Sequence, residues 1–311
     1  MTIPVTRDGI SDAYRRIAPH IRHTPLLNLG ADPFGLGCAV TFKLEFLQHA
    51  GSFKSRGAFN TLLSKPVPKA GVTAASGGNH GAAVAFAARK LGVPAKIFVP
   101  EISSPIKIAT IKSFGAEVVI GGARYDDAQT ACNAYAQESG ALLVHPFDAP
   151  ETLAGQGTIG LEWERDGLKP DTVLIACGGG GLIGGIATWW QGQVKLVGVE
   201  PDGSRCLHAA LDVGGPVTVD VNSVAGDSLG AKRVGQMAFD IAKHAVDHVA
   251  LVSDDAIRQA QITLWRDFRI MSEPGGAAAL AALLSGAYVP DKGERVGILL
   301  CGANVDPTTL G

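Results

Sequence analysis

Seven short apolar runs, "AKIFVP", "AEVVIGG", "ALLVHP", "DTVLIACG", "VKLVGVE", "DHVALVS" and "RVGILLCG", recur along the chain with alanine-rich stretches between them. Gly92, Gly115 and Gly140 stand just ahead of the first three. A glycine that closes a helix and an apolar run that follows it are the marks of βαβ units. Repetition of that unit leaves few architectures open. It requires parallel sheets covered by helices on both faces. The expected fold class is therefore α/β, with two doubly wound domains. The first three runs form a compact block, 68–143. The later runs belong to a second block, and the larger domain is expected over 1–67 and 144–311. There is no internal repeat and no long linker.

With 311 residues, 46% of them hydrophobic, the chain is long enough for two cores. The formal net charge is −2 and no dense Lys/Arg run exists, so nucleic acid is not an expected partner. Five separated cysteines without a CxxC pair (Cys38, Cys132, Cys177, Cys206, Cys301) fit reduced thiols in a cytoplasmic protein. The N-terminus lacks the apolar core of a signal peptide. The uncharged window 172–194 is long enough to span a bilayer, but its clustered glycines read as strand, loop and helix. A regulatory domain beyond the last apolar run is not expected.

Ligands of doubly wound sheets sit at the carboxyl ends of the strands. Three loops there carry candidate chemistry. In "TAASGGNHG", Gly77 and Gly78 free backbone N–H groups at a helix N-terminus, Ser76 adds a hydroxyl, and Asn79 can donate and accept. His80 reads as a spacing residue. In "CGGGGLIGG", the run Gly178, Gly179, Gly180, Gly181 before Leu182 is entropically costly and suits a backbone wrapped around a phosphate. Gly179, Gly181 and Gly184 also satisfy G-x-G-x-x-G, with Glu200 ending the next run. That keeps open a nicotinamide oxidoreductase or a dinucleotide-binding regulator. In "LLCGANVDP", the Cys301 thiol would face the same crevice. Glu273, just before an apolar helix, is a helix cap or a site residue. His244 and His248 are four residues apart but straddle a helix end, and Trp189 and Trp190 read as packing. The remaining candidate is Lys54 in "GSFKSRGAFN", a lone lysine among small residues.

Taken together these stretches resemble one family, the fold-type II pyridoxal-phosphate enzymes. "GSFKSRGAFN" is similar to its lysine motif, "SGGNH" to its substrate and cofactor loop, "CGGGGLIGG" to its phosphate loop, and "CGANVDP" to the strand end that faces the pyridine nitrogen. "GQGT" and "EP" fall in the same order. Within the family the chain resembles serine and threonine dehydratases and serine racemase. The resemblance implies a tryptophan synthase β-like fold, pyridoxal 5'-phosphate as cofactor, and a homodimer. It implies that Lys54 carries the cofactor, Phe53 covers a ring face and Asn79 meets the ring oxygen. The glycine loop with Leu182 takes the phosphate, Cys301 faces the ring nitrogen, and residues Ser76, Gly77, Gly78, Asn79 and His80 receive the substrate. The implied reaction removes the β-hydroxyl of L-threonine, L-serine or a related 3-hydroxy amino acid and yields a 2-oxo acid and ammonia. Hydroxide leaves poorly, water having a pKa of about 15.7. The cofactor phosphate, with a second pKa near about 6, is the acid implied.

Three positions depart from the pattern. Cys301 stands where many relatives have serine. Glu200 is a candidate metal ligand, but Cys206 takes the place of a second acid. Ser228 replaces a frequent glycine. In serine racemase a serine two residues before the loop asparagine serves the second face of the substrate; here that position is Gly77. Elimination is therefore expected over racemisation, and a β-replacement synthase is the other alternative within the fold.

Overall fold

The computed structural model describes residues 5–306. Two sheets organise it. The smaller has four strands, all parallel: β3 (Val72–Ala75), β4 (Ala95–Val99), β5 (Glu117–Ile120) and β6 (Leu142–Leu143), in the spatial order β5-β4-β3-β6. Helices α3 (Asn79–Leu91), α4 (Pro105–Ser113) and α5 (Tyr125–Ser139) connect them. The larger has six strands. Four of them are β7 (Thr172–Ala176), β8 (Lys195–Pro201), β9 (His248–Val252) and β10 (Arg295–Leu299). They are joined on one edge by β2 (Ala39–Lys43) and β1 (Leu26–Gly30), in the order β1-β2-β10-β7-β8-β9.

Two features depart from the sequence expectation. First, β1 runs antiparallel to β2, so the larger sheet is parallel only from β2 onward. An edge strand of this kind needs no crossover helix, only the turn between residues 30 and 39. Second, the smaller sheet has a central strand, β3, that the apolar runs did not reveal. Its sequence, "VTAA", is too alanine-rich to read as a strand, yet all four residues are buried because α3 and α5 pack on it.

The window 172–194 divides into β7, a glycine turn and α7 (Gly181–Trp190). Among the described residues no helix is long and apolar enough to cross a membrane. Trp190 packs edge-on against Trp163 in the larger core. Helix α12 (Pro274–Leu284) is apolar all round and lies along β7, β8, β9 and β10, as a fully enclosed helix should. Helix α2 (Lys54–Ser64) has an unusual place. It packs against α6 (Pro150–Arg165) and also against α3, and its Ala58, Phe59 and Leu62 belong to the core under the smaller sheet. So α2 joins the two sheets, and its first residue is Lys54.

Candidate active site

Lys54 opens α2 at the point where the two sheets meet. The segment ahead of it is laced to the end of β10: Phe53 N donates to Cys301 O (3.1 Å) and Ala303 N to Gly51 O (3.0 Å). Ala50 has a left-handed backbone (φ 56°), rare for a residue with a side chain. Gly51 follows at φ 72°, where a Cβ would lie 2.4 Å from Asn304 Oδ1. Lys54 Nζ donates to Pro146 O at 2.9 Å and lies 5.1 Å from the centre of the Phe53 ring. Burial pushes its pKa down to about 8, against the opposing pull of Cys301 and Glu273. A desolvated amine of this kind has an accessible neutral, nucleophilic form.

The pocket around Lys54 is lined by Phe53, Asn79, Phe147, the glycines 178–181, Leu182, Ser228, Glu273 and Cys301. The glycine turn joins β7 to α7, with Gly180 left-handed at φ 87°. A Cβ at Gly179 would sit 2.4 Å from the Phe147 ring, and one at Gly181 2.7 Å from Phe147 O. Only bare backbone fits, and it ends at the N-terminus of a ten-residue helix whose first N–H groups lack helical partners. Free N–H groups at a helix N-terminus with no side chains in the way have the chemistry to hold an anion.

Asn79 begins α3. Its Nδ2 donates to Glu273 Oε1 (2.5 Å), and its Oδ1 accepts from Asn304 Nδ2 (2.7 Å). Glu273 is buried, and its Oε2 has no hydrogen-bond partner. Burial raises its pKa to about 7, with Lys107 and Asn79 opposing. The Cys301 thiol is likewise held neutral: burial and then Glu273 push it well above the usual thiol range. Its Sγ contacts Gly275 O at 3.5 Å.

The other residues of the "SGGNH" turn do not line this pocket. Ser76 Oγ is turned back onto Gly78 N (3.1 Å). A Cβ at Gly77 would fall 1.9 Å from Ser103 Oγ, so Ser103 fills the space of the missing side chain. His80 Nε2 bonds Val144 O (2.8 Å), and burial, then Lys54, lowers its pKa to about 3. The neutral ring ties α3 to the end of β6. Glu200 also lies outside the pocket. Its two oxygens accept from Leu207 N (2.9 Å) and His208 N (2.8 Å) at the start of α8 (Cys206–Val213), so the side chain is buried as a cap on that helix. His244 and His248 are separated, His248 resting on Tyr288. No cluster of three metal-ligating side chains occurs among the described residues.

Beneath the pocket, two residues beyond Lys54, Arg56 enters a second buried cluster. Its Nε and Nη2 donate to the two oxygens of Glu45 (2.9 and 2.7 Å), and Nη2 also to Glu162 Oε1 (2.9 Å). Lys43 Nζ reaches the same Glu162 oxygen at 2.7 Å, with Thr24 N at 3.0 Å. Burial alone would raise the Glu162 pKa, but Arg56 and Lys43 overcome it and hold it at about 2. This cluster fixes the helix that carries Lys54.

Sequence reasoning missed Phe147, Pro146 and Asn304. The first two follow β6 in "VHPFDAP", a loop at a strand's carboxyl end, and that position was the available signal. Asn304 sits in the quoted "CGANVDP" but carries no pattern of its own.

The residues fit an aldehyde-bearing phosphate ester: a desolvated amine, a side-chain-free phosphate cradle and an amide donor converge on one pocket. Comparison with known proteins agrees. The family model described as pyridoxal-phosphate dependent enzyme matches residues 17–302. A phenylserine dehydratase of Ralstonia pickettii is 38% identical over 97% of this chain and 94% of its own. An L-threonine ammonia-lyase of Geobacter sulfurreducens is 39% identical over 97% of this chain and 76% of its own. The structure of maize serine racemase superposes with a TM-score of 0.93 at 33% identity, covering 98% of this chain and 95% of that one.

Proposed function

The chain belongs to the pyridoxal-phosphate dependent enzyme family, and from that premise we propose that it is a dehydratase of 3-hydroxy amino acids. It converts L-threonine, L-serine or a β-substituted serine such as phenylserine to the 2-oxo acid and ammonia. The observation that carries this reading is the buried Lys54 amine, lowered to about 8, in one pocket with the glycine turn.

Pyridoxal phosphate supplies a carbonyl that an amine can occupy and a conjugated ring that stabilises negative charge at the substrate's α-carbon. The chain's residues do the rest. Lys54 would hold the cofactor and, when displaced by the substrate amine, would take the α-proton on Nζ. A pKa of about 8 leaves part of the amine neutral at physiological pH. The amides of Gly178, Gly179, Gly180, Gly181 and Leu182 would hold the phosphate, with Phe53 covering a ring face. Asn79 would donate to the ring oxygen, and the neutral Cys301 thiol would lie against the ring nitrogen without protonating it. Backbone N–H groups of Gly77, Asn79 and His80, at the N-terminus of α3, suit the substrate carboxylate, whereas Ser76 N and Gly78 N donate to Phe98 O and Ser76 Oγ and shape the turn.

Elimination is favoured over racemisation because Ser76 Oγ is turned back along the turn, where it accepts from Gly78 N, and Gly77, two residues before Asn79, has no side chain. Ser103 occupies the space of that side chain, so Gly77→Ser requires Ser103 to move. Ser103→Ala is the cleaner probe and should leave any D-isomer at background. Residues 68–143 are proposed as the smaller domain. The cytoplasmic assignment is supported by five unpaired, buried cysteines; the homodimer extends the family resemblance, and sedimentation tests it. The decisive assay incubates the loaded enzyme with L-serine, L-threonine and phenylserine and follows 2-oxo acid, ammonia and D-isomer together. D-serine forming as fast as pyruvate would replace the dehydratase assignment by a racemase.

A further inference from the structure

One chain of hydrogen bonds crosses four separate segments at the pocket floor. It starts at a backbone carbonyl, Ala50 O, in the left-handed residue four places before Lys54. Asn304 Nδ2 donates to that carbonyl at 2.7 Å and to Asn79 Oδ1 at 2.7 Å. Asn79 Nδ2 then donates to Glu273 Oε1 at 2.5 Å. Side-chain amides can face either way, but this chain has a fixed end. A carbonyl only accepts, so Asn304 must present its nitrogen to Ala50. With both N–H groups of Asn304 directed at oxygens, the Asn79 atom beside it must be the carbonyl. The Asn79 nitrogen therefore points at Glu273, and its second N–H is free for the pocket.

We propose that Asn304 and Glu273 are positioning residues that lock the Asn79 amide in one orientation, so that a single N–H donor of fixed direction faces an anionic ring oxygen in the pocket. The proposal rests on the cofactor role given to Asn79 above. Neither end acts on the reacting atoms. Asn304 sets the direction of the amide, and Glu273 accepts from it and polarises it. The relay also explains why Gly51 tolerates no side chain: a Cβ there would displace Asn304. It couples the Lys54 segment to Asn79, so the amine and the donor are placed by one network. A buried hydrogen-bond chain of this kind is stabilised when every member is satisfied and loses more than one bond when a member is removed.

The test titrates pyridoxal phosphate into cofactor-free protein and reads affinity from the bound cofactor's absorbance. Asn304→Asp keeps the volume and removes both donors; it should weaken affinity by about tenfold or more. Glu273→Ala should weaken it comparably from the other end, without touching the Ala50 segment. Glu273→Gln, whose amide oxygen still accepts from Asn79, should restore affinity to within about threefold of the wild type. The discriminating step is a double-mutant cycle. In an Asn79→Ala background, Asn304→Asp should add nothing. Equal weakening by Asn304→Asp in both backgrounds overturns the relay while leaving Asn79's own role intact. Unchanged affinity in Asn79→Ala alone removes that role and the relay with it.

Discussion

Two buried carboxylates lie on opposite sides of α2 and have opposite fates. Lys54 and Arg56 are two residues apart, roughly 200° around a helix, so one enters the pocket and the other the cluster beneath it. In the cluster Glu162 is met by Arg56, Lys43 and Thr24, and its pKa falls to about 2. In the pocket Glu273 is just as buried, but one oxygen has a neutral amide and the other has nothing, and its pKa rises to about 7. Burial penalises both charges alike; pairing decides which stays ionised. The cluster is a structural anchor with its charges satisfied. The pocket leaves Glu273 Oε2 buried without a partner, a cost that a purely structural site would not carry.

The largest effect that would break this contrast is on turnover. Lys54→Ala should abolish product formation and the visible absorbance of bound cofactor, while the cofactor-free protein melts no lower than the wild type. Retained turnover would remove Lys54 from the chemistry. Next comes stability. Arg56→Met strands Glu45 without its cation and leaves Glu162 with Lys43 alone, and denaturant unfolding should show a loss of roughly 3–5 kcal/mol. A loss below about 1 kcal/mol would mean the cluster is not the anchor described.

The pH dependence of the cofactor-free protein sharpens the contrast, because the two acids act in opposite directions. An unfolded glutamate titrates near about 4.3. Glu162 contributes stability that is present above that value and is lost as pH falls through its folded value of about 2. Glu273, raised to about 7, contributes stability that is present below the unfolded value and is lost as pH rises through 7. Glu273→Gln should therefore stabilise at pH 8 by roughly 1–3 kcal/mol and have no effect near pH 4. Glu162→Gln should destabilise at neutral pH and flatten the acid limb. Equal shifts at both pH values for Glu273→Gln would sink the raised pKa. Smallest of all, Cys301→Ser exchanges one neutral hydrogen-bonding group for another and should keep kcat within about tenfold.

The pocket was more legible in the sequence than the cluster, and the reason is locality. Lys54, Asn79, the four glycines and Cys301 each sit in a short stretch whose residue types already imply a local chemistry. The α/β class was legible for the same reason, since alternation is a local pattern. Arg56 meets Glu162 across 106 positions, and no pattern at either end announces the pair. Asn304 was invisible because its partners are a backbone carbonyl and another amide. Strand β3 was hidden by alanines that only tertiary burial turns into a strand, and β1 and β2, also outside the apolar runs, by polar residues such as Asn28, Thr41 and Lys43 that interrupt them.

Helix α2 has one more consequence, for how the protein comes apart. Phe59, Ala58 and Leu62 wall the interior of the smaller sheet, yet the helix precedes that sheet in the chain and is pinned from behind by Arg56. Residues 68–143 expressed alone would present an open apolar flank where α2 belongs, an invitation to aggregate. Neither sheet is then an independent folding unit. Calorimetry should record one cooperative transition in place of two, because the first to melt takes the other's wall with it.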